Sequence, residues 1–118
     1  MLFPFIWISF EWLHSIGEIA YPWLSLGYTQ ILNFYFVQIA DISGVLGVSF
    51  LILWINVIIY KLTYLAKQRS TKKIVISELL AIPSFKKYLI ALALTLFLPY
   101  IYGLIRVNQF DHQEMLEI

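Results

Sequence analysis

The sequence predicts an all-α membrane protein with about three transmembrane helices, the first one partial, and an interfacial or re-entrant segment on the outer side. Of the 118 residues, 61% are hydrophobic and only 13% are charged, whereas a soluble domain averages about 25% charged residues. The mean hydropathy is +0.81. Residues 42–60 and 88–105 contain no charged residue, and each run is close to the roughly 20 apolar residues that cross a bilayer. The chain is therefore predicted to be one membrane unit.

Residues 1–13 form the first apolar run and are predicted to be a partial helix. A helix of this length covers about 20 Å at 1.5 Å per residue, which is less than the roughly 30 Å of a hydrocarbon core. The run lacks the positively charged start and the small-residue cleavage site of a signal peptide. We interpret it as a truncated or re-entrant span.

Residues 14–41 are predicted to be an outer interfacial segment with short or re-entrant helical pieces. Gly17, Pro22 and Gly27 interrupt regular structure. Tyr and Trp bury an apolar ring while one polar atom stays in contact with water, which suits a membrane interface. Four such residues lie in the segment: Tyr21, Trp23, Tyr28 and Tyr35.

Residues 42–60 are predicted to be a transmembrane helix. Asp41 precedes this run, and an acidic residue at a helix N-terminus caps it or interacts favourably with its dipole. Small residues near the start of the run allow a neighbouring helix to approach closely, and a strong polar side chain is expected to face protein rather than lipid. The predicted packing residues are therefore Ser43, Gly44, Gly47 and Asn56.

Residues 61–87 are predicted to be a cytoplasmic loop, within which residues 74–82 form a short amphipathic helix at the inner surface. Because this basic stretch lies between two apolar runs, it is predicted to be a cytoplasmic loop by the positive-inside rule and not a nucleic-acid site. It holds every basic residue except Arg106: Lys61, Lys67, Arg69, Lys72, Lys73, Lys86 and Lys87.

Residues 88–105 are predicted to be the last transmembrane helix, with a kink at Pro99. Since the basic loop is cytoplasmic, this helix returns to the outer face, and residues 106–118 form a polar tail there. The charge pattern thus predicts a polytopic inner-membrane segment with its C-terminal tail on the outer face.

Glu11, His14 and Glu18 share one face of a continuous helix, and Glu11 with His14 has the Glu-x-x-His spacing of di-iron bundles. Such sites need a second copy, and the sequence has none. The preferred interpretation is therefore a helix end whose polar residues reach the interface, with a proton or ligand role as the alternative. No metal and no cofactor is predicted. The chain has no cysteine, so it contains no cysteine nucleophile.

Four short motifs are more specific than this general pattern. They occur in a fixed order: FEWL at 10–13, YPWL at 21–24, LGYTQ at 26–30 and QIADISGVLGVSFL at 38–51. Together they resemble the membrane domain of bacterial apolipoprotein N-acyltransferases. His14 stands where that family often has an arginine, and Tyr21 replaces a phenylalanine. The basic loop, the final helix and Arg106 are similar to the family more weakly.

The resemblance implies an enzyme that transfers an acyl chain from a membrane phospholipid to the N-terminal cysteine amine of a diacylglyceryl apolipoprotein. The family has about eight transmembrane helices and an outer nitrilase-like domain with a Glu-Lys-Cys triad. We therefore expect this chain to be a fragment of the membrane domain, inactive alone, with no catalytic residue of its own. Lipid or substrate contacts are expected at Trp23, Tyr28 and Gln30, with anchoring at the interface and a packing role as the alternative. The alternative is a small non-catalytic membrane protein, either a transporter or a complex subunit.

Overall fold

The structure, a computed structural model, describes residues 2–16, 20, 25–69 and 79–117. Over these residues every regular element is helical. In chain order they are α1 (Phe3–His14), a 3₁₀ helix (Leu26–Gln30), α2 (Phe34–Val37), α3 (Ala40–Arg69) and α4 (Pro83–Glu117). The predicted all-helical class is confirmed.

Helices α3 and α4 are long and apolar enough to cross a membrane, over Ala40–Gln68 and Pro83–Phe110. Helix α1 has 12 residues and is shorter, about 18 Å long. Many large apolar side chains of α1 and α4 are exposed, Ile6 and Phe97 among them. Exposed apolar side chains in this number indicate contact with a membrane or with other protein.

Helix α3 extends beyond the predicted span, because residues 61–69 continue the helix instead of beginning the basic loop. No glycine or proline follows Gly47 within α3, and Lys, Leu, Ala, Gln and Arg all favour helix. A regular helix is interrupted only near its start, at Gly44, whose φ of 65° and ψ of −178° are not helical.

Helix α4 begins at Pro83 rather than at residue 88, so Lys86 and Lys87 lie in its first turns. Proline is tolerated at a helix start because the first N–H groups need no intrahelical partner. The helix also includes most of the predicted polar tail and continues to Glu117, with Pro99 inside it. Of the amphipathic helix predicted for residues 74–82, only 79–82 lie within the described residues.

The elements pack around α3, which contacts α1, α4 and the 3₁₀ helix. Phe5 of α1 packs edge-on against Phe50 of α3 with a centroid separation of 5.3 Å, and Phe50 stacks on Trp54 at 5.8 Å. Helix α2 lies against α4 so closely that a Cβ at Gly103 would collide with the carbonyl oxygen of Tyr35. The short elements between residues 25 and 39 therefore pack against the longer helices through Gly27 and Phe36, which are buried, whereas Leu32 is 95% exposed.

Candidate functional site

Residues 25–39, named here the re-entrant segment, contact α1, α3 and α4 and form the candidate site. Gly27, in the 3₁₀ helix, donates its backbone N–H to Oγ of Ser49 at 2.7 Å. Ser49 is fully buried in α3. A Cβ at Gly27 would collide with the carbonyl oxygen of Val45, so only glycine allows the 3₁₀ helix to approach α3 this closely.

Glu11 of α1 holds the same turn from the opposite side. Its Oε1 accepts hydrogen bonds from the backbone N–H of Leu26 and from Nε1 of Trp7, both at 2.8 Å. Only 6% of the residue is exposed, so the expectation that Glu11 reaches the interface is wrong. Its Oε2 is buried and accepts no hydrogen bond from the residues that the structure describes.

A small cavity of about 200 Å³, called the polar cavity below for the four polar side chains in its otherwise apolar lining, lies between the re-entrant segment, α3 and α4. Its polar lining consists of Gln30, Asn33, Asn56 and Tyr100. Nδ2 of Asn33 donates to the hydroxyl of Tyr100 at 2.7 Å, while Nδ2 of Asn56 donates to the Ile52 carbonyl of its own helix at 2.8 Å. The re-entrant segment therefore reaches the level of Ile52, about 18 Å along α3 from Ala40.

Tyr100 of α4 holds helix α2 through two contacts, one made by its ring and one by its hydroxyl. Phe36 is buried, and its ring centroid lies 5.8 Å from that of Tyr100, whose hydroxyl accepts the Asn33 hydrogen bond described above. An aromatic pair adds about 0.5–1.5 kcal/mol beyond the area it buries. Tyr100 thus fixes the deep end of the re-entrant segment, as Ser49 and Glu11 fix its beginning.

An ion pair joins the first turn of α3 to α4. Nε of Arg106 lies 3.0 Å from Oδ2 of Asp41, and both side chains are about two-fifths exposed. The guanidinium also stacks on the ring of Phe110, 4.9 Å from the centroid. Asp41 lies within the first turn of α3, which begins at Ala40, and its carboxylate pairs with Arg106.

The small residues near the start of α3 have different surroundings. Ser43 donates its hydroxyl to the Ile39 carbonyl of its own segment at 3.0 Å, and a Cβ at Gly47 would collide with the Ser43 side chain. A Cβ at Gly44 would meet nothing within 4 Å. Its φ of 65° favours glycine because a Cβ is disfavoured in that conformation. Their roles in packing against a further helix stay predictions.

The predicted lipid contacts are only partly brought together. Gln30 lines the polar cavity, whereas Tyr28 is 41% exposed and is not among the residues that line it. Trp23 lies outside the described residues, as does Glu18. Sequence reasoning missed Ser49, Asn33 and Tyr100. Asn33 could have been found from the sequence, because it is a single amide side chain within an apolar run, ILNFYFV. Asn56 was predicted to face protein on the same ground.

No catalytic constellation is assembled from the described side chains. Within them, no group of three or more His, Cys, Asp or Glu residues could hold a metal ion. His14 packs its ring on Phe10 at 4.2 Å, with Nδ1 3.2 Å from the Phe10 carbonyl oxygen. The arrangement can position a chain segment and contact an apolar or amphiphilic ligand.

Residues 1–58 match the family model described as the apolipoprotein N-acyltransferase N-terminal domain. The chain is 43% identical over 60 residues to the apolipoprotein N-acyltransferase of Geobacter metallireducens, covering 51% of this chain and 12% of that protein. It is 36% identical over 81 residues to the protein of the same name from Coxiella burnetii, covering 69% of this chain and 16% of the relative.

A third relative, the apolipoprotein N-acyltransferase of Haemophilus influenzae, is 36% identical over 83 residues, which is 70% of this chain and 16% of that protein. The aligned part of the chain therefore covers less than a fifth of the length of these curated relatives. No solved structure matches it. These matches confirm the resemblance predicted from the four motifs.

Proposed function

We propose that the chain acts as part of the membrane domain of an apolipoprotein N-acyltransferase, because residues 1–58 match the model of the N-terminal domain of that family. The intact enzyme transfers an acyl chain from a phospholipid to the N-terminal cysteine amine of a diacylglyceryl apolipoprotein. The observation that carries this proposal is the fixed re-entrant segment. The Leu26–Gln30 motif that resembles the family is the turn bonded to both Glu11 and Ser49, and those two residues belong to the other matching motifs.

We propose that this part of the enzyme positions substrates and does not carry out the chemistry. Acyl transfer through a covalent intermediate requires an activated nucleophile. The chain has no cysteine, and the described side chains offer no other nucleophile beside a base. We therefore expect no acyl transfer by this chain alone. Trp23, Tyr28 and Gln30 are proposed to contact acyl chains or headgroups, with Gln30 doing so at the deep end of the segment.

The proposed orientation places residues 61–87 in the cytoplasm and the Asp41–Arg106 ion pair at the outer, periplasmic face of the bacterial inner membrane. Two features support it. The basic residues cluster where α3 ends and α4 begins, and positive charge favours the cytoplasmic side. The ion pair joins the opposite ends of the same two helices. Reporter fusions after residue 70 and after residue 118 test the orientation, and a cytoplasmic C-terminal reporter would contradict it.

A chimera tests the acyltransferase assignment. Residues 1–58 replace the matching segment of the Geobacter metallireducens enzyme, and transfer from phospholipid to a diacylglyceryl lipopeptide is measured in vesicles. We expect the chimera to retain activity, and we expect Tyr28→Ala within it to lower activity without lowering expression. Leu32→Ala is the matched control, because Leu32 is 95% exposed. A chimera that inserts in the membrane and transfers no acyl chain contradicts the assignment.

The polar cavity favours one alternative, a small non-catalytic membrane protein that moves an ion or solute. Polar residues inside a membrane are candidates for an ion or substrate pathway, and Gln30, Asn33 and Asn56 share one cavity. This alternative predicts flux of a small ion or solute across vesicles that contain the chain alone. The acyltransferase assignment predicts no such flux through the chain.

A further inference from the structure

The polar cavity lies between Asn56 of α3 and the deep end of the re-entrant segment, where Gln30 and Asn33 line it. Nδ2 of Asn56 donates to a carbonyl of its own helix, and Nδ2 of Asn33 donates to Tyr100 of α4. Within the described part of the chain, no hydrogen bond joins Asn56 to the segment. A ligand in the cavity could therefore connect these two polar surfaces.

The three amides of the cavity share one arrangement of bonded and free atoms. In each, one N–H is bonded within the protein, and for Gln30 its acceptor is the Thr29 hydroxyl at 3.3 Å. A carboxamide has two N–H donors and one acceptor oxygen, and no described residue donates to the three carbonyl oxygens. The hydroxyl of Tyr100 accepts from Asn33, and its own O–H donates to no described residue. A ligand that satisfies this set must both donate and accept hydrogen bonds.

These free polar atoms reach open space and are not covered by apolar side chains. Oε2 of Glu11 is the one fully buried side-chain atom without a hydrogen-bond partner among the described, non-exposed residues. The free atoms of Gln30, Asn33 and Tyr100 are therefore accessible, and Asn56 is an exposed residue. A small molecule in the cavity can reach all four side chains.

We propose that the polar cavity binds a small cluster of water molecules, which bridge Asn56 to Gln30 and Asn33. Water both donates and accepts, whereas a cation satisfies only the carbonyl oxygens and an anion satisfies only the N–H and O–H groups. The volume of about 200 Å³ holds several water molecules, since each takes about 30 Å³ in the liquid, and a buried water makes about three hydrogen bonds. Asn56 is thereby a positioning residue that holds the deep end of the re-entrant segment through water.

The depth of the cavity explains why such water is retained. Leu96, in the cavity lining, lies about 14 Å along α4 from Lys87 and about 15 Å from Arg106. In the proposed bilayer placement, on which this inference rests, that depth is within the hydrocarbon core, where an unsatisfied polar group is costly. Water at Gln30 also favours a headgroup over an acyl chain among the contacts proposed for that residue.

Water-edited solid-state NMR of the unmodified, ¹⁵N-labelled chain in phosphatidylcholine bilayers tests the proposal. The side-chain NH₂ groups of Asn33 and Asn56 should receive magnetisation from water at short mixing times. The indole N–H of Trp54 is the matched internal control, because Trp54 precedes Asn56 by two residues at a similar depth of α3 but lines an apolar groove between α3 and α4. It should receive no magnetisation from water at the same mixing times.

Cysteine substitution gives a second test, because the chain has no cysteine and the thiolate is the reactive form of the side chain. A water-soluble methanethiosulfonate should label Leu96→Cys in the cavity and not Phe97→Cys at the same depth, although Phe97 is 65% exposed and Leu96 only 37%. Adding Asn56→Leu to Leu96→Cys should lower the labelling rate about two- to tenfold, the range for one lost hydrogen bond. Thr95→Val, which removes a hydroxyl bonded within α4, should leave the rate unchanged.

Absence of water magnetisation at the Asn56 side chain overturns the proposal, whether hydrocarbon or a side chain of a further helix fills the cavity. Equal labelling rates in the Asn56→Leu and Thr95→Val backgrounds overturn the bridging role of Asn56. If Phe97→Cys is labelled as fast as Leu96→Cys and Trp54 also receives water magnetisation, α3 and α4 do not span the bilayer. That result overturns the proposed membrane placement itself, and it differs from a dry cavity, in which neither the thiol nor the amides contact water.

Discussion

Replacing Ser49 with alanine should release the start of the re-entrant segment while leaving the long helices intact. The Ser49 hydroxyl is the acceptor for the Gly27 N–H at 2.7 Å, and both residues are buried. Alanine fits the space but leaves the N–H without that acceptor. A buried donor left unsatisfied costs about 1–3 kcal/mol. Since 1.4 kcal/mol is a tenfold change, the population of the undocked segment should rise by about 5- to 150-fold.

Amide hydrogen exchange in detergent micelles measures this population, because local opening exposes amides in proportion to its free energy. Peptides that cover residues 25–33 should exchange faster in Ser49→Ala by the factor above, and peptides from α4 should keep their native rate. Ser43→Ala is the matched control in the same helix, since the Ser43 hydroxyl is exposed and bonds its own Ile39 carbonyl. Its effect should be below about 0.5 kcal/mol.

Unchanged exchange at residues 25–33 in Ser49→Ala would refute the reasoning, because it would mean that the hydroxyl does not hold the segment. An equal acceleration in α4 would refute it in another way. In that case Ser49 stabilises the whole helical unit rather than one contact, and the free energy cannot be assigned to the Gly27 bond.

Three further substitutions test the remaining contacts. Tyr100→Phe removes the hydroxyl that Asn33 bonds and should destabilise the segment by about 0.5–1.5 kcal/mol. A double-mutant cycle with Asn33→Ala in thermal unfolding should assign most of that loss to this hydrogen bond. Additive effects of the two substitutions would contradict the assignment. Gly103→Ala should already separate α2 from α4 and lower the unfolding temperature, because its Cβ would collide with the Tyr35 carbonyl oxygen; an unchanged unfolding temperature would contradict the close approach. Asp41→Asn should cost at most about 1 kcal/mol, because its pair with Arg106 is partly exposed, and the loss should shrink at high salt; a larger, salt-independent loss would indicate a buried pair.

The helices could be predicted from the sequence because their signals are local. Uncharged runs at residues 42–60 and 88–105 indicated α3 and α4, and the motif at 26–30 marked the turn that Gly27 brings against α3. The ends were harder to predict. The basic residues from Lys61 onward predicted a loop, but a lysine-rich stretch without glycine or proline can also continue a helix, as α3 does to Arg69. Charged residues indicate where the chain leaves the apolar part of the membrane and do not indicate where the helix ends.

The contacts of the candidate site could not be predicted, because each joins residues far apart in the chain. Asn33 and Tyr100 are separated by 67 positions and Asp41 and Arg106 by 65. No spacing rule relates such pairs. Asn56 is recognisable as the polar residue of an apolar helix, but the cavity that it lines depends equally on Asn33, which lies in the segment predicted to be interfacial.

Glu11 illustrates why a local pattern alone gave the wrong environment. Near a helix end and three residues before a histidine, a glutamate is expected to reach water, since burying an isolated carboxylate is costly. The structure offsets this cost with two N–H donors on Oε1, one from Trp7 in the preceding turn and one from the backbone of Leu26. The second donor exists only because the chain returns fifteen residues later. A buried carboxylate at this position is therefore a consequence of the re-entrant segment, and removing Glu11 should release the same turn that Ser49 holds.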